Sequence, residues 1–226
     1  MWRKNLTLKN KNTKMEKYVK IINIIDKSGS MQSMLDAAIN GFNSFLEDQK
    51  SVEGKAVVST IMFSGNYKIL YENMDIQNCL YFNKENYQPE GSTALYDCLC
   101  SVLNKEIDNL GNLSLEERPE KTLCIILTDG EENSSKKYNR EDVKRMITEM
   151  REDFKWEFIF LGADENASLT AQGMGISSGN SYAFSATSDG LTDAYRGISS
   201  SSKVYRMSNS VVMENLMNDY KKDKKD

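Results

Sequence analysis

The chain contains no histidine. That absence excludes the Ser-His-Asp hydrolases, the Cys-His proteases and the HExxH zinc enzymes, each of which needs an imidazole as base or ligand. Cysteine is scarce and scattered, at Cys79, Cys98, Cys100 and Cys124. Cys98 and Cys100 fall two apart on a predicted helix, where neighbours point to different faces, and Cys124 falls in a predicted central strand. A tetrahedral zinc site needs better-arranged ligands. Reduced thiols and a cytoplasmic address are expected. No apolar run approaches the ~18 residues of a membrane-spanning helix, so no membrane partner is expected. The basic N-terminal stretch has no apolar h-region and no small-residue cleavage site, and does not read as a secretory signal. No G-x-G-x-x-G or Walker A stretch is present, which argues against dinucleotide or ATP binding.

Positive charge is unevenly placed. Residues 1–20 hold Arg3, Lys4, Lys9, Lys11, Lys14, Lys17 and Lys20 against Glu16, a balance of +6. The whole chain carries −4, which leaves −10 for the remainder (−4 − 6). An acidic body argues against nucleic acid as a partner. The leader reads as a solvated tail. Met15 opens Met-Glu-Lys-Tyr-Val-Lys just before the first predicted strand, so residues 1–14 are expected to be a disordered basic extension. The length suits one domain, placed at 15–206, and a monomer is expected.

What is present is alternation. Residues 20–26 read as a strand buried on both faces, because the apolar residues run on without alternating. A helix over 31–50 follows, with Leu35, Ala38, Ile39, Phe42, Phe45 and Leu46 at core spacing. Strands at 56–63 and 67–72 are joined through Ser64-Gly65-Asn66, a hairpin signal. A helix from Ala94, a strand at 122–128, a helix around Val143, Met146, Ile147 and Met150, and a strand at 156–161 come next. A short helix at 164–172, a strand at 181–186 and a helix capped by Thr187, Ser188 or Asp189 complete the domain. The pattern predicts a doubly wound, Rossmann-like α/β fold: a mostly parallel sheet with one antiparallel edge strand and helices on both faces. Such sheets bind ligands beyond the carboxyl ends of their strands, where the strand order switches.

Two of these strands end in carboxylates. Asp26-Lys27-Ser28-Gly29-Ser30 closes the first, and Leu127-Thr128-Asp129-Gly130 closes the buried strand at 122–128. Gly91-Ser92-Thr93-Ala94 opens a helix with a hydroxyl. Crowded oxygen ligands of this kind suit a small, hard divalent cation. Taken alone, Ser92 or Thr93 reads as the N-cap of the helix starting at Ala94. With Asp26-x-Ser28-x-Ser30 and Asp129 also present, the ligand reading takes precedence.

Asp26-x-Ser28-x-Ser30, Thr93 and Asp129 in a Thr-Asp-Gly context together resemble the metal-ion-dependent adhesion site of von Willebrand factor A domains. The resemblance covers residues 18–205, and no motif position departs from the pattern. The wording Gly-Ser-Thr-Ala-Leu-Tyr-Asp and Leu-Thr-Asp-Gly-Glu is similar to the intracellular bacterial and phage branch. The resemblance implies a Mg2+ site, with Mn2+ or Ca2+ as substitutes, made by Asp26, Ser28, Ser30, Thr93 and Asp129. It also implies a protein partner that presents an Asp or Glu, with an AAA+ ATPase, a phosphatase or a kinase as expected classes. The expected function is an adaptor, not an enzyme. Two rivals differ in class. A phosphoryl-acceptor role for Asp26 is one, but such sites carry Asp-x-Asp where this chain has Ser28, and they need a lysine with no clear candidate here. A metal-free structural adaptor leaves the five oxygen ligands unexplained. Beyond the domain, residues 207–226 carry Met213, Leu216, Met217 and Tyr220 at helical spacing before a charged end. They read as a helix lying on the body, with a docking helix as the sharper alternative.

Overall fold

The computed structural model describes residues 18–163, 165–209 and 215–217. The expected extension at 1–14 lies outside them, as do Met213 and Tyr220. Among the described residues six strands form one sheet: β1 (Val19–Asp26), β2 (Ala56–Phe63), β3 (Tyr67–Asp75), β4 (Lys121–Thr128), β5 (Glu157–Gly162) and β6 (Ser181–Ala183). Their order is β3-β2-β1-β4-β5-β6. Only β3 runs antiparallel, through the hairpin with β2; the other pairings are parallel. Among the described residues five α-helices cover the sheet: α1 (Leu35–Lys50), α2 (Leu95–Gly111), α3 (Arg140–Phe154), α4 (Ala167–Gly173) and α5 (Ser188–Met207). This is the doubly wound fold that the alternation predicts.

The unbroken apolar run of β1 is explained by its two faces. Ile21 and Ile25 join one core with α1 and α5, while Ile22 and Ile24 join a second with α2, α3 and α4. β4 divides the same way, Leu123, Ile125 and Leu127 against Cys124 and Ile126. A fully buried side chain of this size contributes about 1.5–3 kcal/mol, so the two central strands anchor both layers. The four cysteines are free thiols, all buried, and Cys98 and Cys100 both lie in the second core.

Helix α1 crosses α5 at a point where a side chain is missing. A β-carbon on Gly41 would stand 2.2 Å from the Tyr195 ring, so glycine is what lets the buried ring lie on the α1 backbone. The far end of α5 is pinned twice. Arg206 donates to the carbonyls of Gln49, Val52 and Gly54, closing the end of α1, and Lys121 donates to those of Tyr205 and Ser208. Helix C-termini expose such carbonyls, and basic side chains satisfy them. Leu216 and Met217 are buried in the α1–α5 core. Leu216 N–H donates to Asn180 Oδ1 at 2.9 Å, and its carbonyl accepts from Ser201 Oγ at 2.8 Å. These two residues of the C-terminal stripe therefore belong to the body. No helix among the described residues is long and apolar enough to cross a membrane.

Candidate metal centre

The sheet order reverses between β1 and β4: from β1 the chain moves outward to β2 and β3, then returns to start β4 on the other side. Asp26 is the last residue of β1, and Asp129 follows the last residue of β4. The predicted site residues therefore meet at the switch point, where the crevice of such a sheet lies.

Backbone bonds tie the loop after β1 to the end of β2 and to the segment that leads to Thr93. Lys27 N–H donates to Phe63 O at 2.7 Å, Glu90 N–H to Lys27 O at 2.8 Å, and Gly29 N–H to Gly91 O at 3.0 Å. Gly91 has φ of +74°, which favours glycine. A β-carbon on Gly29 would sit 3.4 Å from Gly91 O, so the two loops meet backbone to backbone. The expected helix at 31 begins later. A 3-10 turn at Gly29–Met34 precedes α1, because the chain must first bend round Ser28 and Ser30. Ala94, not Ser92 or Thr93, is the N-cap of α2, and it offers no side-chain cap. The N-cap alternative for Thr93 is thereby removed.

The side chains converge. Asp26 Oδ1 accepts from Ser28 N–H at 2.6 Å, and Oδ2 accepts from Thr128 Oγ1 at 2.6 Å. Ser28 Oγ and Ser30 Oγ lie 3.1 Å apart, and Ser30 Oγ donates to Asp129 Oδ1 at 2.8 Å. A β-carbon on Gly130 would lie 3.5 Å from Thr93 Oγ1 and 3.9 Å from Ser30 Oγ; glycine keeps open the space these hydroxyls face. Asp26, Ser28 and Thr93 are buried, Asp129 is half-buried and Ser30 is exposed. The cluster is thus reached from the Ser30–Asp129 side.

Its electrostatics are one-sided. Burial pushes the Asp26 carboxyl up to about 6, helped by the charge of Asp129, while the Thr128 and Ser28 hydrogen bonds oppose the rise. Burial also raises Asp129, against the Ser30 hydrogen bond. Among the described residues no lysine or arginine forms an ion pair with either. The adjacent Lys27 ammonium is held instead by Glu90 at 2.8 Å. Two carboxylates and three hydroxyls without a cation form a donor set suited to a hard divalent ion. No three of His, Cys, Asp and Glu converge among the described residues, as expected where most of the donors are hydroxyls.

Two contributors escaped the sequence reading. Thr128 holds the inner oxygen of Asp26, and Tyr87 OH donates to the Asp26 carbonyl at 2.6 Å. Thr128 precedes Asp129 within the same motif, a signal available in the sequence. Tyr87 sits in the irregular stretch before Gly91, and nothing local marks it.

The fold and this cluster define a doubly wound α/β domain with a hydroxyl-and-carboxylate site at its switch point. The sequence model of the von Willebrand factor type A domain matches residues 20–197; the chain belongs to that family. No curated protein matches the sequence. Among solved structures, proximal thread matrix protein 1 from the mussel byssus, solved with a zinc-occupied MIDAS motif, superposes with a TM-score of 0.58 at 12% identity, over 82% of this chain and 48% of that one. A von Willebrand factor type A protein from Catenulispora acidiphila gives 0.55 at 15% identity, over 83% and 43%. The manganese-loaded TRAP protein of Plasmodium vivax gives 0.51 at 15% identity, over 70% and 62%. The chain thus spans roughly half the length of these neighbours, and at such identities they show the shared fold.

Proposed function

We propose that this domain is a metal-dependent protein-interaction module of the bacterial and phage type. Asp26, Ser28, Ser30, Thr93 and Asp129 would hold Mg2+, and a partner would present an Asp or Glu to it. The observation that carries this reading is Asp26: a buried carboxylate, raised to about 6, wrapped by hydroxyls and left without a cation among the described residues. The zinc-occupied and manganese-loaded neighbours support a divalent ion in this fold. Bound there, the ion would supply Lewis acidity toward an incoming carboxylate. The chain's own groups do the rest. Ser28 and Ser30 offer neutral oxygens, which leave the ion's charge less neutralised than a carboxylate cage would. Thr128 and the Ser28 N–H fix the orientation of Asp26. The half-buried Asp129 and exposed Ser30 face the approach, and beside Gly130 a cavity of about 260 Å3, lined in part by Tyr96, Glu132, Arg140 and Phe160, leaves room for the chain that bears the acid.

A phosphoryl-transfer reading gains nothing from the geometry, since the lysine nearest in sequence, Lys27, is bound to Glu90. An affinity pull-down with and without EDTA tests the proposal. A partner retained by the wild type and released by EDTA supports it; a partner indifferent both to EDTA and to Thr93→Ala contradicts it.

A further inference from the structure

The polar loop that follows Gly130 is bonded to the segment that bears Thr93. Thr93 N–H donates to Asn133 Oδ1 at 3.0 Å, and Thr93 O accepts from the N–H groups of Asn133 at 3.0 Å and Ser134 at 3.2 Å. One turn on, the orphan N–H groups at the start of α2 are taken by the same loop. Tyr96 N–H donates to Glu132 Oε2 at 2.9 Å, and Asp97 N–H to Ser135 Oγ at 3.0 Å. Glu132 also gathers its own loop, accepting from the N–H groups of Ser134 at 2.9 Å and Ser135 at 2.7 Å and from Ser135 Oγ at 2.8 Å. Asp97 returns the bond by accepting from the N–H groups of Lys136, Lys137 and Tyr138 at 2.8, 2.9 and 2.8 Å.

A helix whose N-cap supplies no side-chain acceptor needs partners for its first N–H groups. Here they come from about forty residues away, on the chain that has just left Asp129. We infer that residues 132–135 are a strap fixing Thr93 relative to Asp129, with Asn133 as the positioning residue and Glu132 as its anchor on α2. The inference rests on the proposed metal reading. Asn133 grips the backbone of Thr93 on both sides of its Cα, its side-chain oxygen accepting from the Thr93 N–H and its backbone N–H donating to the Thr93 carbonyl, so Thr93 Oγ1 is aimed by a residue that is not itself a ligand. Asn133 is exposed and removes no core packing when truncated, which keeps its test separable from folding.

The test compares wild type, Asn133→Ala and Asn133→Asp as full chains. Two readouts are taken: amide hydrogen exchange at Thr93 without metal, and Mn2+ affinity by titration calorimetry. Asn133→Ala should speed exchange at Thr93 and weaken Mn2+ binding by about fivefold, the factor one hydrogen bond of ~1 kcal/mol represents. Its circular dichroism should match the wild type. Asn133→Asp keeps an acceptor facing the Thr93 N–H and should restore both readouts. If Asn133→Ala binds Mn2+ like the wild type, or Asp fails to restore exchange protection, the positioning role is wrong while the metal reading stands. If the wild type takes up no Mn2+, both fall together.

Discussion

Ser30 Oγ donates to Asp129 Oδ1 at 2.8 Å, across 99 residues of sequence. This bond closes the gap between the ends of β1 and β4 and makes one cluster of two strand termini. It also places a hydroxyl between two carboxylates that would otherwise repel, Asp26 through Ser28 on one side and Asp129 on the other.

Asp26→Asn should stabilise the metal-free protein at neutral pH. The wild-type carboxyl is raised from 3.8 to about 6 by burial, so the folded chain binds this proton more tightly than the unfolded chain. The stability it contributes is present below pH 3.8 and is lost as pH rises through 6. Asparagine removes that loss. Its carbonyl accepts from Ser28 N–H, and its amide faces Thr128 Oγ1, whose proton, no longer given to Asp26, can turn to Gly130 O at 3.0 Å and leave a lone pair for the amide. The expected gain at pH 7 is about 1–3 kcal/mol. Urea midpoints in EDTA between pH 4 and 7 check it; a mutant less stable than wild type at pH 7 would refute the electrostatic account.

Thr93→Ala should leave the fold intact, because the Thr93 backbone bonds and the loop caps of α2 do not use its hydroxyl. Mn2+ affinity should fall by at least about tenfold. Circular dichroism paired with calorimetry separates the two effects. Loss of helical signal would mean that Thr93 is structural.

Ion binding should add stability by mass action. With Mn2+ at a hundred times its Kd, the wild type should gain about 2.7 kcal/mol, visible as a rise in Tm that EDTA reverses. The sheet core does not involve the site, so the EDTA-treated protein should still melt cooperatively. A broad or absent transition in EDTA would show that the ion is needed for folding.

Gly41→Ala should loosen the contact between α1 and α5. The new β-carbon would collide with the buried Tyr195 ring, and relieving overpacking of this kind costs about 1–3 kcal/mol. Alanine's better helix propensity, worth up to about 1 kcal/mol, offsets only part of it. A melting temperature equal to or above wild type would show that the ring has room to move.

Much of this was legible along the chain, for a physical reason. Strands buried on both faces write themselves as unbroken apolar runs, as β1 and β4 do, and amphipathic helices as stripes, as in α1 and α3. The positions of Asp26 and Asp129 at the ends of β1 and β4 were legible because each closes an unbroken apolar run. What the pattern did not show is cooperation over distance. The 131–135 stretch reads as a polar loop, yet Glu132 and Ser135 accept from the first N–H groups of α2 and Asn133 grips Thr93. Tyr87 likewise looks like an aromatic in an irregular segment until its hydroxyl is found on the Asp26 carbonyl. β3 runs past the expected Glu72 to Asp75 because Asn73 takes a left-handed turn, φ of 47°, with its N–H on Ser59 Oγ. β6 stops at Ala183, short of the expected 186, where the chain turns to cap α5 through Thr187.

We propose that Asp26, Ser28, Ser30, Thr93 and Asp129 form one divalent-ion site. Titration of Mn2+ into the full chain, wild type beside Asp26→Ala, addresses it most directly. A single binding event per chain in the wild type, absent from Asp26→Ala at matched circular dichroism, is the predicted result. No heat in the wild type, or an undiminished event in Asp26→Ala, would contradict it.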